Sequence, residues 1–148
     1  MGDPGMAALA RGGAAASLIE ERGWVPRAEV AAAIAGAHAC LLFYPPRWIA
    51  LRVPLKLYEY LRGAREILAF INEGAAASMI RAARAGTVTS PEDPAAIAAE
   101  LLRAFRAWRS GSAPAKNTAA IVGYERRALT EQLAAILDRA AEARGSAS

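Results

Sequence analysis

Three short apolar segments, Ala39-Cys40-Leu41-Leu42-Phe43, Glu66 to Ile71 and Gly86-Thr87-Val88-Thr89, are separated by stretches of helical composition, and this alternation restricts the fold more than any other feature. Strand, helix, strand in succession predicts βαβ crossovers and a parallel sheet, with right-handed connections almost without exception. The expected class is therefore α/β. The run from Ala39 to Phe43 has no polar interruption, which suits a strand covered on both faces by helices. Ser17 to Glu21 reads as one more short strand, followed by the loop Gly23-Trp24-Val25-Pro26. Helices are expected over Ala28 to Ala37, from Pro54 to near Gly63 with Leu57, Tyr60 and Leu61 at core spacing, and from Gly74 to Arg84. Asp93, in the turn Ser90-Pro91-Glu92-Asp93-Pro94, is placed to cap a helix through about Trp108. The stripe Ile97, Leu101, Leu102, Phe105 and Trp108 of that helix is expected to pack on the sheet.

At 148 residues and 55% hydrophobic content the chain can bury one core. Residues 1–16, rich in Gly and Ala, read as poorly ordered, 17–109 as the α/β domain and 110–117 as a linker. A helix is expected over 118–143, with Ile121, Tyr124, Leu129, Leu133 and Ile136 on its apolar side, and a disordered tail over 144–148. The net charge of +4 comes from arginines scattered among acids, without the cationic stripe that nucleic-acid binding requires. No apolar stretch approaches the ~20 residues needed to cross a bilayer. Met1 to Gly13 lacks the basic and apolar blocks of a secretory signal, so a cytoplasmic location is expected. Cys40, the one cysteine, reads as buried filler, and His38 has no second ligand at metal spacing, so no metal site is expected.

In open parallel sheets ligands sit at the carboxyl ends of the strands. The helix beginning at Pro54 offers unpaired backbone N–H groups and a positive dipole end there, with Arg52 and Lys56 adding charge, and Gly74 opens a second helix at the same rim. Val53-Pro54-Leu55-Lys56-Leu57-Tyr58-Glu59-Tyr60-Leu61, then Arg62-Gly63-Ala64-Arg65-Glu66-Ile67-Leu68-Ala69, resembles the donor-site signature of family-4-like GT-B glycosyltransferases, Pro-x-Lys-x-x-Glu-Tyr followed by small residues and an apolar strand. Upstream, Gly23 to Val30 resembles the preceding loop and helix of that domain; downstream, Ala85 to Val88 and Pro91 to Pro94 resemble its final strand and turn. The resemblance covers roughly Trp24 to Phe105, and the order of the motifs is more specific than any one of them.

It implies that residues 17–109 form a Rossmann-like domain binding a nucleotide-diphosphate sugar, the donor half of a hexosyltransferase-type enzyme, with the donor as substrate and no cofactor. It further implies that Glu59 binds the ribose diol, a role suited to a carboxylate, which accepts two hydrogen bonds at once. Lys56 would face the diphosphate near Pro54, Gly74 would approach the donor phosphates or sugar, and Trp24 and Val25 would hold the base. No catalytic residue is named by it. Two departures stand out: Leu51 occupies the place of an additional glutamate found in many relatives, and Ala64-Arg65-Glu66 replaces the usual Gly-x-Pro. A complete enzyme of this kind has two such domains, and the donor domain's first two strands would precede Trp24. Their absence would leave exposed sheet edges and favour self-association, a missing N-terminal domain on another chain, or a marginal fold. The parent enzyme would be a candidate for peripheral membrane association. Other readings are a non-catalytic α/β nucleotide-binding or interaction module and, lacking an acid cluster after the first strand, a disfavoured receiver-like domain. Taken alone, Lys56 and Glu59 are an ordinary solvated i, i+3 pair, and Arg47 and Trp48 are either contacts to an acceptor or the partner domain or a simple lid.

Overall fold

The computed structural model describes residues 16–43, 50–112 and 122–145. The chain divides into two units, Met1–Ala33 and Ile34–Ser148. In the first, a short 3-10 turn spans Ala16–Leu18, and helix α1, Arg27–Gly36, begins there and runs into the second. The strand expected over Ser17 to Glu21 is not formed: these residues are exposed, and a strand needs a ladder partner.

The second unit is α/β, a Rossmann-like parallel sheet with flanking helices. Strands β1 (Ala39–Phe43), β2 (Glu66–Phe70) and β3 (Gly86–Thr89) lie side by side in chain order. Between them come helices α2 (Leu55–Gly63) and α3 (Ala75–Ala82), and after them α4 (Pro94–Arg109) and α5 (Arg126–Gly145). The register Leu42↔Ala69 and Ala69↔Val88 sets one face, and Leu41↔Leu68 and Leu68↔Thr87 the other, because neighbouring residues of a strand point to opposite sides. On the first face Leu42, Ile67, Ala69 and Ile71 pack with Leu57 and Leu61 of α2 and with Ala77, Met79 and Ile80 of α3 to form the core. Alanines on α3 allow that helix to sit close to the sheet. Gly86 serves the same end between strands, where a Cβ would run into the backbone of Ile67.

On the second face α4 lies over β2. Its start is built as the sequence predicts: Asp93 Oδ1 accepts the Ala96 N–H at 2.9 Å and Pro94 occupies the first turn. Its middle is fixed by polar contacts, since Arg103 bridges Glu66 at the start of β2 and Glu100 on its own helix (2.8 Å), and Glu100 takes the Thr87 hydroxyl at 2.7 Å.

Two expectations are corrected on this face. β1 is covered on one side only: Cys40 and Leu42 are buried, whereas Leu41 is 44% and Phe43 49% exposed. The stripe Leu101, Leu102, Phe105 and Trp108, expected to lie on the sheet, is half-exposed, so Trp108 is not a core residue. Of the expected stripe only Ile97 turns inward, joined by Glu100 and Ala104, because Glu100 follows its partners Thr87 and Arg103. The last helix also differs: it starts at Arg126, Tyr124 stands in the turn before it and packs against the core, and Leu129, Leu133 and Ile136 are exposed. Arg144 and Gly145 belong to that helix, not to a tail. The expected loop positions Pro45, Pro46, Arg47 and Trp48, most of residues 1–16, residues 113–121 of the expected linker and helix start (Ile121 among them), and 146–148 of the expected tail lie outside the described residues.

Candidate functional site at the carboxyl rim of the sheet

The rim is built where β1 and β2 end and α2 and α3 begin. Pro54, half-buried with φ −67° and ψ 140°, ends an extended segment, and its carbonyl accepts the Leu57 N–H at 2.9 Å. A proline contributes no N–H of its own and no side-chain cap, so the amides of Leu55 and Lys56 are left without partners inside the helix. Lys56 is exposed in the first turn, and Glu59, half-buried, follows three residues later. The two are thus neighbours along one flank of α2, with Leu57 and Leu61 on the buried flank. The Glu59 charge has an effect next door. Tyr60, whose hydroxyl donates to the Leu41 carbonyl at 3.2 Å, is held above the ordinary phenol range, first by burial and then by Cys40 and Glu59.

Gly74 stands at the start of α3, half-buried, in a backbone conformation (φ 158°, ψ −167°) seldom taken by residues with side chains. Ala50 crosses directly over it: the Ala75 N–H donates to the Ala50 carbonyl at 2.7 Å, and a Cβ on residue 74 would overlap that carbonyl. The structure therefore brings Gly74 against the segment leading to Pro54, as one rim requires. It also shows that the first amide of α3 is already occupied by a protein carbonyl. Beside it, Glu73 forms a two-point ion pair with Arg81 (2.6 and 2.7 Å), which holds the Glu73 carboxyl below its usual range. Trp24 and Val25 belong to the first unit, Trp24 open to solvent and Val25 half-buried, after Gly23 in a left-handed conformation.

Among the described residues, two of the pockets are lined by none of Glu59, Lys56 and Gly74. One, of about 230 Å³, is formed by His38, Ala39, Ala104, Phe105 and Trp108, with the His38 ring edge-on to Trp108 at 5.1 Å. The other, about 300 Å³, lies between the end of α2 and the start of α5 and is lined by Tyr58, Leu61, Arg62, Tyr124, Glu125 and Arg126. Sequence reasoning placed Tyr124 on a helix, and so missed this second pocket. The one local signal was Gly123, which breaks the helical pattern just before Tyr124.

Among the described residues no group of three or more His, Cys, Asp or Glu could hold a metal ion, and no helix is long and apolar enough to cross a membrane. Cys40 is buried, and burial raises its thiol above the ordinary range, the reverse of what a nucleophile needs. Fold and rim together define the class: an α/β protein whose parallel sheet presents helix N-termini at its carboxyl edge, the place where such sheets take their ligands. No protein family, curated protein or solved structure matches the chain.

Proposed function

We propose that this chain is the donor-binding part of a cytoplasmic glycosyltransferase, taking a nucleotide-diphosphate sugar at the rim formed by Pro54, Lys56, Glu59 and Gly74. The observation that carries the reading is the start of α2: two amides without a partner inside the helix, an exposed lysine and, one turn on, a half-buried carboxylate. An anion at the amides and Lys56 and a diol at Glu59 would be held about one helical turn apart, near ~5 Å along the axis. Transfer to an acceptor would need a second domain, and stabilisation of the departing nucleotide diphosphate by helix N-termini and cations would supply most of the catalysis.

Calorimetric titration with uridine diphosphate and guanosine diphosphate tests it. Saturable binding of either, lost in Glu59→Ala and weakened in Lys56→Gln, supports the donor site. Silence with both nucleotides rejects it and favours the second reading, a non-catalytic interaction module. One observation speaks for that module: the apolar face of β1, where Leu41 and Phe43 lie half-exposed at a sheet edge.

A further inference from the structure

The cavity between α2 and α5 has a composition unlike that of a simple packing gap. Leu61, almost fully buried, makes its floor. The Tyr58 and Tyr124 rings meet edge to face, 6.5 Å apart at 74°, so the walls offer both an aromatic face and an aromatic edge. Arg62 and Arg126, both exposed, complete the lining with Glu125. Four arginines elsewhere are engaged by carboxylates, Arg22 by Glu20, Arg81 by Glu73, Arg103 by Glu66 and Glu100, and Arg127 by Glu131. Among the described residues no carboxylate is ion-paired with Arg62 or Arg126, although Glu125 lines the same cavity. Two guanidinium groups beside two phenol rings over an aliphatic floor match a compact dianion carried on a flat apolar body, because each guanidinium offers parallel N–H donors to two oxygens of one phosphate. The cavity's size, about 300 Å³, suits a single ring with its substituent rather than a dinucleotide.

We infer that this cavity is a binding site for a phosphomonoester carried on a planar ring, distinct from the rim at Pro54 to Glu59. The ring lies against Tyr58 and Tyr124, and the phosphate is held between Arg62 and Arg126. Glu125 sets the sign of a secondary preference: it repels a ligand with further negative charge near the ring and accepts a hydrogen bond from a ring hydroxyl or amine. The inference does not rest on the donor reading.

The test is a titration of the full chain with phenyl phosphate, followed by backbone and ring NMR shifts, with inorganic phosphate and phenol titrated separately. Saturable shifts at Tyr58, Arg62, Tyr124 and Arg126 are expected with phenyl phosphate, and weaker binding of each fragment alone. Replacing a charged hydrogen-bonding partner should weaken binding about tenfold for each of Arg62→Gln and Arg126→Gln. Both arginines are exposed, so the variants keep the fold, and an unchanged spectrum elsewhere checks it. Glu59→Ala should leave phenyl phosphate binding intact, which separates failure of this site from failure of the donor site. The inference is overturned if shifts do not saturate, if they gather around Pro54 to Glu59 instead, or if both arginine variants bind as the parent does.

Discussion

Adjacent leucines on β1 provide a direct measure of how the sheet is covered. Leu42 is 0% exposed and packs in the core between α2 and α3, whereas Leu41, on the other face, is 44% exposed. Leu42→Ala removes fully buried methyl groups and leaves a cavity, so it should cost about 3 kcal/mol, within the usual ~2–5 kcal/mol for such deletions. At Leu41 only about half of the side chain is out of water and the gap opens to solvent, so the same change should cost about 1 kcal/mol. Equilibrium urea unfolding followed by circular dichroism reads the difference. With a slope near ~1.5 kcal/mol/M, the two midpoints should differ by more than about 1 M. Leu42→Met, which conserves volume, should cost less than about 1.5 kcal/mol and shows that the loss in Leu42→Ala comes from the cavity. Equal costs for Leu41→Ala and Leu42→Ala would refute one-sided burial and mean that the second face of β1 is covered in solution.

Three further outcomes follow from the same geometry. Arg103 first, and the Thr87 hydroxyl less strongly, hold the Glu100 carboxyl below its ordinary range, against the opposing effect of burial. A lowered folded-state value stabilises above the unfolded carboxyl range near ~4.3 and is lost as the pH falls through it, so Glu100→Gln should flatten the acid limb of stability by on the order of 1 kcal/mol, discounted for the partly exposed arginine; an acid limb identical to the parent's would contradict this. The buried Cys40 thiol should react with a thiol reagent at neutral pH only as fast as the chain opens, and rapid labelling in native buffer would place it at the surface. β1 carries no charge or proline along its length, and such an edge invites pairing, so the mass measured by sedimentation should rise with concentration, and Leu41→Lys should suppress the rise while keeping the fold; a parent chain that stays monomeric at every concentration counts against it.

How much of this could be read from the residues depended on how local each determinant is. β1 and β3 stand where the apolar and β-branched runs placed them, residue for residue, and α2 runs to Gly63 as expected from Pro54. Pro54, Asp93 and the core spacing of Leu57 and Leu61 act within one or two turns of chain, so their consequences are written beside them. Two-sided burial of β1 was not legible in the same way. An apolar run says that a strand can be covered, but whether a helix arrives over Leu41 and Phe43 is decided by elements far along the chain. The same holds for Phe105 and Trp108: their spacing predicts a stripe, and only the distant partner Glu66, thirty-seven residues from Arg103, shows which way the helix turns.

The two sheet faces therefore rest on different physics. One is sealed by close apolar packing of α2 and α3, in which a change of a single methyl group is felt. The other is oriented by a polar cluster, Glu66, Arg103, Glu100 and Thr87, which fixes the rotation of α4 but leaves large apolar side chains half in water. The candidate sites follow this division. Lys56, Glu59 and Tyr58 are carried on α2, whose far side is locked into the core, so their spacing is held rigidly. Tyr124 and Arg126 are set by a turn that meets α2 only after the chain has passed through β3 and α4, which is why the sequence points to the helix starts at the rim and not to the tyrosine–arginine cavity.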